Sequence, residues 1–285
     1  MPTNYRKQMD EIIENIRAAG QRTVKTSGSE SNKEPDPGVW RRPSLLMHVC
    51  CAPCSSSCLV QVRDDFDITA FFYNPNITER DEYEKRLAEE KRLILELNSR
   101  FEGRYDGVVS ACGNGAVSEK YAVSEHGVNG ADAKTANEMR VIEGRYEPET
   151  FLALAKGHEQ DPEGGERCQT CFELRLRETA RVAAEQGFDF FTTSLTLSPL
   201  KNAALLNEIG EKAGAEAGVR FLPSDFKKKD GYLLSLNLSK EHNLYRQDYC
   251  GCIYSKAERD RQKKQIYHKA DDRQKKPNDI HKRYK

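Results

Sequence analysis

The sequence predicts an α/β protein built on a mostly parallel sheet, and three observations carry that prediction. Short apolar runs alternate along the chain with longer amphipathic stretches, the order expected of strands joined by crossover helices. Two of the amphipathic stretches, 169–186 and 202–217, are followed at once by Gly187 and Gly218, and glycine readily closes a helix in the left-handed conformation. The length of 285 residues suggests one large α/β domain or two small ones, and the 37% of apolar residues, on the low side, is enough to bury a core.

Taken in order, residues 5–19 form a short helix with Met9, Ile12, Ile13 and Ile16 on one side. Residues 26–43 are rich in Ser, Gly, Lys and Pro and read as a linker, so 1–43 form an N-terminal arm. Residues 44–49 make a first strand and 55–63 a helix. Residues 68–73 make a second strand, ending in Asn74-Pro75-Asn76. The clearest helix is 81–101, where Tyr83, Leu87, Ile94, Leu97 and Phe101 recur at helical spacing. Residues 103–144 are rich in Gly, Ser and Asn, lack periodicity and read as an insertion or lid. A short helix at 151–156 precedes the one at 169–186. A third strand at 188–194, the helix at 202–217 and a fourth strand at 219–222 complete the alternation. No repeat is visible.

Net charge is zero, with 45 Lys and Arg against 45 Asp and Glu. Residues 256–285 nonetheless carry 12 Lys/Arg and 5 Asp/Glu. A basic C-terminal tail at 257–285 is a candidate polyphosphate contact or a solvated terminus. No run reaches the roughly 18 apolar residues of a membrane span. The first residues have no apolar secretory core, so a cytoplasmic location is expected.

Seven of the 9 cysteines fall into three groups. Cys50, Cys51 and Cys54 follow the first strand. Cys168 and Cys171 open a helix, and Cys250 and Cys252 flank Gly251. In a reducing compartment such a set points to metal ligation or redox chemistry rather than to a disulfide framework. Helix starts stabilise thiolate, and sites in parallel sheets form beyond the carboxyl ends of the strands. Four thiolates satisfy a [4Fe–4S] cluster, yet a structural tetrathiolate zinc site fits the spacing equally well. The Cys250-Gly251-Cys252 spacing is too tight for the usual zinc pair and suits a redox pair or a further metal. Cys58 is expected to face its helix core, and Cys112 to be a bystander. His48 is either a strand histidine or a group that orients a ligand.

These groups and their surroundings resemble the cobalamin-independent epoxyqueuosine reductases, the QueH family. The resembling stretches are LLMHVCCAPCSS from Leu45, FFYNPNI from Phe71, PEGGERCQTCFELRLRETA from Pro162, FDFFTTSLTLSPLKN from Phe188, FLPSDFKKKDGY from Phe221 and LYRQDYCGCIYS from Leu244. They run in order across residues 44–256, leaving the arm, the 103–144 insertion and the tail outside.

The resemblance implies a three-layer, adenine-nucleotide α-hydrolase-like (Rossmann-like) fold. It implies reduction of epoxyqueuosine to queuosine at the wobble position of tRNA, a [4Fe–4S] cluster, and a second, mononuclear iron beside it. Carried over by motif, Cys50, Cys51, Cys168 and Cys171 are the cluster ligands. Cys250 and Cys252 are the redox-active pair or ligands of the second iron, which Cys54 is also placed to meet. Asp225, after the fourth strand, is the candidate acid. An open iron position would polarise the epoxide oxygen, while a vicinal dithiol can give two electrons by closing to a disulfide.

For the tRNA, Tyr73, Phe226 and Tyr232 are candidate stacking residues, and Arg167, Lys201 and Lys227–Lys229 candidate phosphate contacts. The electron donor is not identified by the sequence. Two other readings compete. An ATP-dependent tRNA-thiolating enzyme of the same fold group needs a Gly/Ser-rich pyrophosphate loop, whereas the first loop here is Cys-Cys-Ala-Pro-Cys-Ser-Ser. A zinc protein that binds RNA would be colourless, not brown.

Overall fold

The computed structural model describes residues 3–26, 41–102 and 138–275. Five strands form one all-parallel sheet in the order β3-β2-β1-β4-β5: β1 Ser44–His48, β2 Asp67–Phe72, β3 Arg140–Glu143, β4 Phe190–Thr193 and β5 Arg220–Phe221. Helices lie on both faces, so the central strands β1, β2 and β4 are buried almost residue by residue instead of alternating, while the edge strands β3 and β5 carry exposed Arg140, Glu143 and Arg220. On β1, Leu45 and Met47 join a core with Met9, Leu59 and Val62, whereas Leu46 joins Phe191, Ala180 and Ala213 on the other face. The expected three-layer, Rossmann-like α/β class is the observed one.

The first face carries α1 (Tyr5–Thr26), α2 (Ala52–Val62), α3 (Arg80–Glu102) and α7 (Gly231–Glu241). The second carries α5 (Glu166–Glu185) and α6 (Ala203–Ala217), with α4 (Pro148–Leu154) packed on α5. The last helix, α8, spans Ile253–Lys275. The local signals act as the sequence requires. The Asn202 side chain accepts from the Ala204 and Leu205 amides at 3.0 and 3.3 Å, capping α6. Gly218 closes the same helix at φ 75°.

Several elements differ from expectation. The segment 103–144 was expected to be an insertion throughout, yet its end forms β3, paired with β2 from Thr69↔Arg140 to Phe72↔Glu143. β3 is a four-residue edge strand, too short to show a period. Residues 103–137, with Cys112, lie outside the described residues, as does most of the 26–43 linker. The N-terminal arm is anchored: Met9 and Ile13 are buried, and Arg17 pairs with Asp65 at 2.6 Å. The tail begins inside α8, where Lys256 pairs with Glu79, and Arg259 and Lys263 with Asp248.

Candidate thiolate and metal site

Strand order reverses between β1 and β4, whose following helices cover opposite faces, and such a switch point opens a crevice at the carboxyl ends of the strands. The chain turns out of β1 at Cys50 and enters α2 through Cys51, with Pro53 in the first turn. Cys50, Cys51 and Cys54 thereby bring three sulfurs within 4.8 Å of one another, close enough to hold one metal ion. Contact with Cys51, reinforced by burial, pushes the Cys50 thiol up to about 12. A metal must therefore displace bound protons here.

The second thiol group assembles from two distant stretches. Cys168 and Cys171, one helical turn apart at the start of α5, line one pocket with Cys250 and Cys252, together with Asn76, Phe172, Arg175 and Ser255. Burial pushes the Cys171 thiol up to about 12. The Cys250-Gly251-Cys252 turn is clamped from α3. Arg86, 1% exposed, donates through Nη1 to the Cys250 carbonyl at 3.1 Å, through Nη2 to that of Tyr249 at 3.4 Å and through Nε to Glu82 at 2.7 Å. Gly251 sits at φ 123°, where a Cβ would lie 2.8 Å from Ile77 Cγ1. The Cys252 sulfur accepts from the Ser255 amide at 3.3 Å. All eight described cysteines are free thiols.

Two cations connect the groups. Arg175 is fully buried, and its Nε donates to the Cys171 carbonyl at 3.3 Å. Neither Nη1 nor Nη2 has a hydrogen-bond partner among the described residues. Burial opposes its charge, but Cys171, Cys250, Cys50 and Cys168 act in the other direction and leave its pKa raised. At half-buried Lys201 burial likewise works against the charge, and Cys250, Cys50 and Cys54 outweigh it. Five thiols, Cys50, Cys54, Cys168, Cys171 and Cys250, thus lie within the electrostatic reach of these two cations.

The other candidates sort clearly. Asp225 does not line the cysteine pocket; its carboxylate pairs with Lys227 at 2.7 Å. His48 is a buried strand histidine. Its Nε2–H donates to the Tyr73 carbonyl at 3.1 Å, and Nδ1 accepts from Thr193 Oγ1 at 3.0 Å. Burial, with Arg175 nearby, lowers its pKa to about 3. Cys58 faces the core, as expected.

Tyr73 and Phe226 are also core residues, which rules out stacking on a base, whereas Tyr232 is exposed. Arg167 is buried, donating to the His158 and Glu159 carbonyls, and Lys229 pairs with Asp10. Lys201 is half-buried, and its charge is favoured by the nearby Cys250, Cys50 and Cys54. Sequence reasoning missed Arg175 and Arg86. Each had a signal: Arg175 lies four residues beyond Cys171 on the same helix face, and Arg86 shares the apolar stripe of Tyr83 and Leu87.

A parallel sheet whose switch point carries a cation-backed set of thiols defines a Rossmann-like protein with a thiolate site fit for a metal. A family model described as epoxyqueuosine reductase QueH matches residues 45–108 and 117–258, and the chain belongs to that family. Relatives named epoxyqueuosine reductase QueH include one from Streptococcus pyogenes serotype M1, 38% identical over 221 residues, covering 76% of this chain and 73% of that protein. One from Staphylococcus epidermidis is 37% identical over 216 residues, covering 75% and 76%. Another, from Thermotoga maritima, is 32% identical over 218 residues, covering 76% and 92%.

Proposed function

We infer that the chain is an epoxyqueuosine reductase, an oxidoreductase that removes the epoxide oxygen of epoxyqueuosine in tRNA to give queuosine. At the level of the site one observation carries the reading. Cys168, Cys171, Cys250 and Cys252 share a pocket with a buried guanidinium whose charge also reaches Cys50. Thiols drawn from this pocket and from the Cys50–Cys51 turn make up a donor set that fits a thiolate-ligated [4Fe–4S] cluster, because sulfur ligands of net negative charge would answer Arg175 and Lys201.

In this reading Cys50, Cys51, Cys168 and Cys171 hold the cluster, and Cys54 stands beside the first pair as a ligand for a second iron. A bound cluster supplies electrons one at a time. Cys250 and Cys252 are the redox-active pair: closing them to a disulfide releases two electrons and two protons, which balance the loss of the epoxide oxygen as water. A separate electron donor then reopens the disulfide. The Arg86 clamp on the Cys250 and Tyr249 carbonyls and the positive-φ turn at Gly251 position the pair at the pocket. Asp225, whose carboxylate pairs with Lys227, stands as the candidate acid although it does not line the pocket.

The tRNA is proposed to approach along the mouth of the pocket, where a loop base must be splayed out to reach the thiols. No helix among the described residues is long and apolar enough to cross a membrane. Action in the cytoplasm is the reading that suits a tRNA-modifying enzyme.

Anaerobic purification with iron, sulfide and zinc analysis tests the site, and mass spectrometry of nucleosides from epoxyqueuosine-containing tRNA tests the reaction. Iron with matching sulfide and queuosine formation are expected. Zinc alone after anaerobic reconstitution, or tRNA left unchanged by iron-loaded protein and reductant, overturns the proposal.

A further inference from the structure

Arg175 is an expensive residue. Its guanidinium is fully buried, and no carboxylate pairs with it among the described residues. Two of its nitrogens have no partner there. Taking a cation out of water costs several kcal/mol unless charge or hydrogen bonds answer it. Arg86, the buried arginine of α3, by contrast meets Glu82 and two carbonyls. The one bond from Arg175, Nε to the Cys171 carbonyl, orients the side chain from its own helix and leaves Nη1 and Nη2 free. The ring of Phe172 lies 5.6 Å from the guanidinium carbon, and the pocket around it is lined by four cysteines.

We propose that Arg175 donates Nη1 and Nη2 hydrogen bonds to the sulfur atoms of the bound iron–sulfur centre and thereby raises its reduction potential. The proposal rests on the iron–sulfur reading of the site and deepens it. Reduction adds negative charge to the centre. A fixed cation within hydrogen-bond reach stabilises that charge, and the buried setting magnifies the effect because no water screens it. Hydrogen bonds to cluster sulfurs and burial are established levers on such potentials. The planar fork can reach two acceptors at once, which an ammonium cannot do with the same geometry. A centre tuned upward in this way accepts electrons from a weaker donor.

Three proteins are compared after anaerobic reconstitution and matched for iron and sulfide: wild type, Arg175→Lys and Arg175→Met. The readout is the midpoint potential from a spectroscopic redox titration, independent of turnover. The Met variant is expected to have the most negative midpoint and the Lys variant an intermediate one. Identical midpoints in wild type and the Met variant overturn the proposal.

Because either variant can fail to fold, a second measurement uses wild type alone, grown with nitrogen-labelled arginine. Pulsed electron paramagnetic resonance of the reduced centre is expected to show hyperfine coupling to arginine nitrogen, and its absence also overturns the proposal. Failure of wild type to take up iron and sulfide is a different result. It removes the iron–sulfur reading itself.

Discussion

Replacing Arg86 by Met tests how the Cys250–Cys252 turn is held. Arg86 is 1% exposed and makes three hydrogen bonds, to Glu82 at 2.7 Å and to the carbonyls of Cys250 at 3.1 Å and Tyr249 at 3.4 Å. Met has similar length, so little packing is lost. Charge is lost instead: Glu82 keeps only the Tyr245 hydroxyl, 3.1 Å away, and two carbonyls lose their donor. Removing one partner of a buried ion pair costs about 3–5 kcal/mol.

Arg86→Met is therefore expected to lower unfolding stability by about 3–5 kcal/mol in urea. Arg86→Lys, which keeps one donor to Glu82, is expected to lose less. In native protein the freed turn should expose its thiols, so that Cys250, followed by mass spectrometry, is alkylated faster in the Met variant. Cys58, in the core of α2, should be unaffected. A loss below about 1 kcal/mol, the scale of an exposed pair, with unchanged Cys250 alkylation, refutes the clamp.

Three further outcomes follow from the structure. Glu90 is fully buried, and burial raises its pKa to about 7 from 4.5; stability present below about pH 4.5 is lost as pH rises through 7. Glu90→Gln should remove that dependence and gain about 3 kcal/mol at pH 8 but nothing at pH 4.5, and parallel stability–pH curves for the two proteins would refute this. Gly251→Ala places a Cβ 2.8 Å from Ile77 Cγ1 at φ 123°. It should cost more than about 1 kcal/mol and slow iron uptake, whereas unchanged urea midpoint and iron content would show that the turn is not constrained. Truncation after Arg259 should weaken tRNA binding and flatten its salt dependence. Affinity unchanged across a salt series would remove α8 from the tRNA interface and leave Lys263 only its pairing with Asp248.

Local signals made much of the fold legible. The apolar runs of β1, β2 and β4 and the helical stripe of α3 stand in the sequence because burial on a regular element forces a period. α7 was not anticipated, since Gly231-Tyr-Leu-Leu-Ser-Leu mixes apolar and polar residues without a clear face. β3 was hidden because a short edge strand takes its identity from pairing with β2, and pairing leaves no periodic trace. The aromatic residues misled for a related reason: Tyr73 and Phe226 have the chemistry to stack on a base, but the core clusters they join bury them.

By itself the sequence determined that this is a parallel α/β chain with thiols at strand ends and helix starts, and its motifs fixed the family. Those features are local, or are carried by runs of residues that survive as recognisable words. Only the tertiary structure decided which thiols face one another and which cations stand among them. Cys171 meets Cys252 across some eighty residues of chain, and Arg86 reaches the Cys250 carbonyl across 164 positions. Arg175 resembles any other charge on an amphipathic helix until α5 is docked on β1 and β4. A charge acquires its meaning from what surrounds it in space, and spacing along the chain does not encode that.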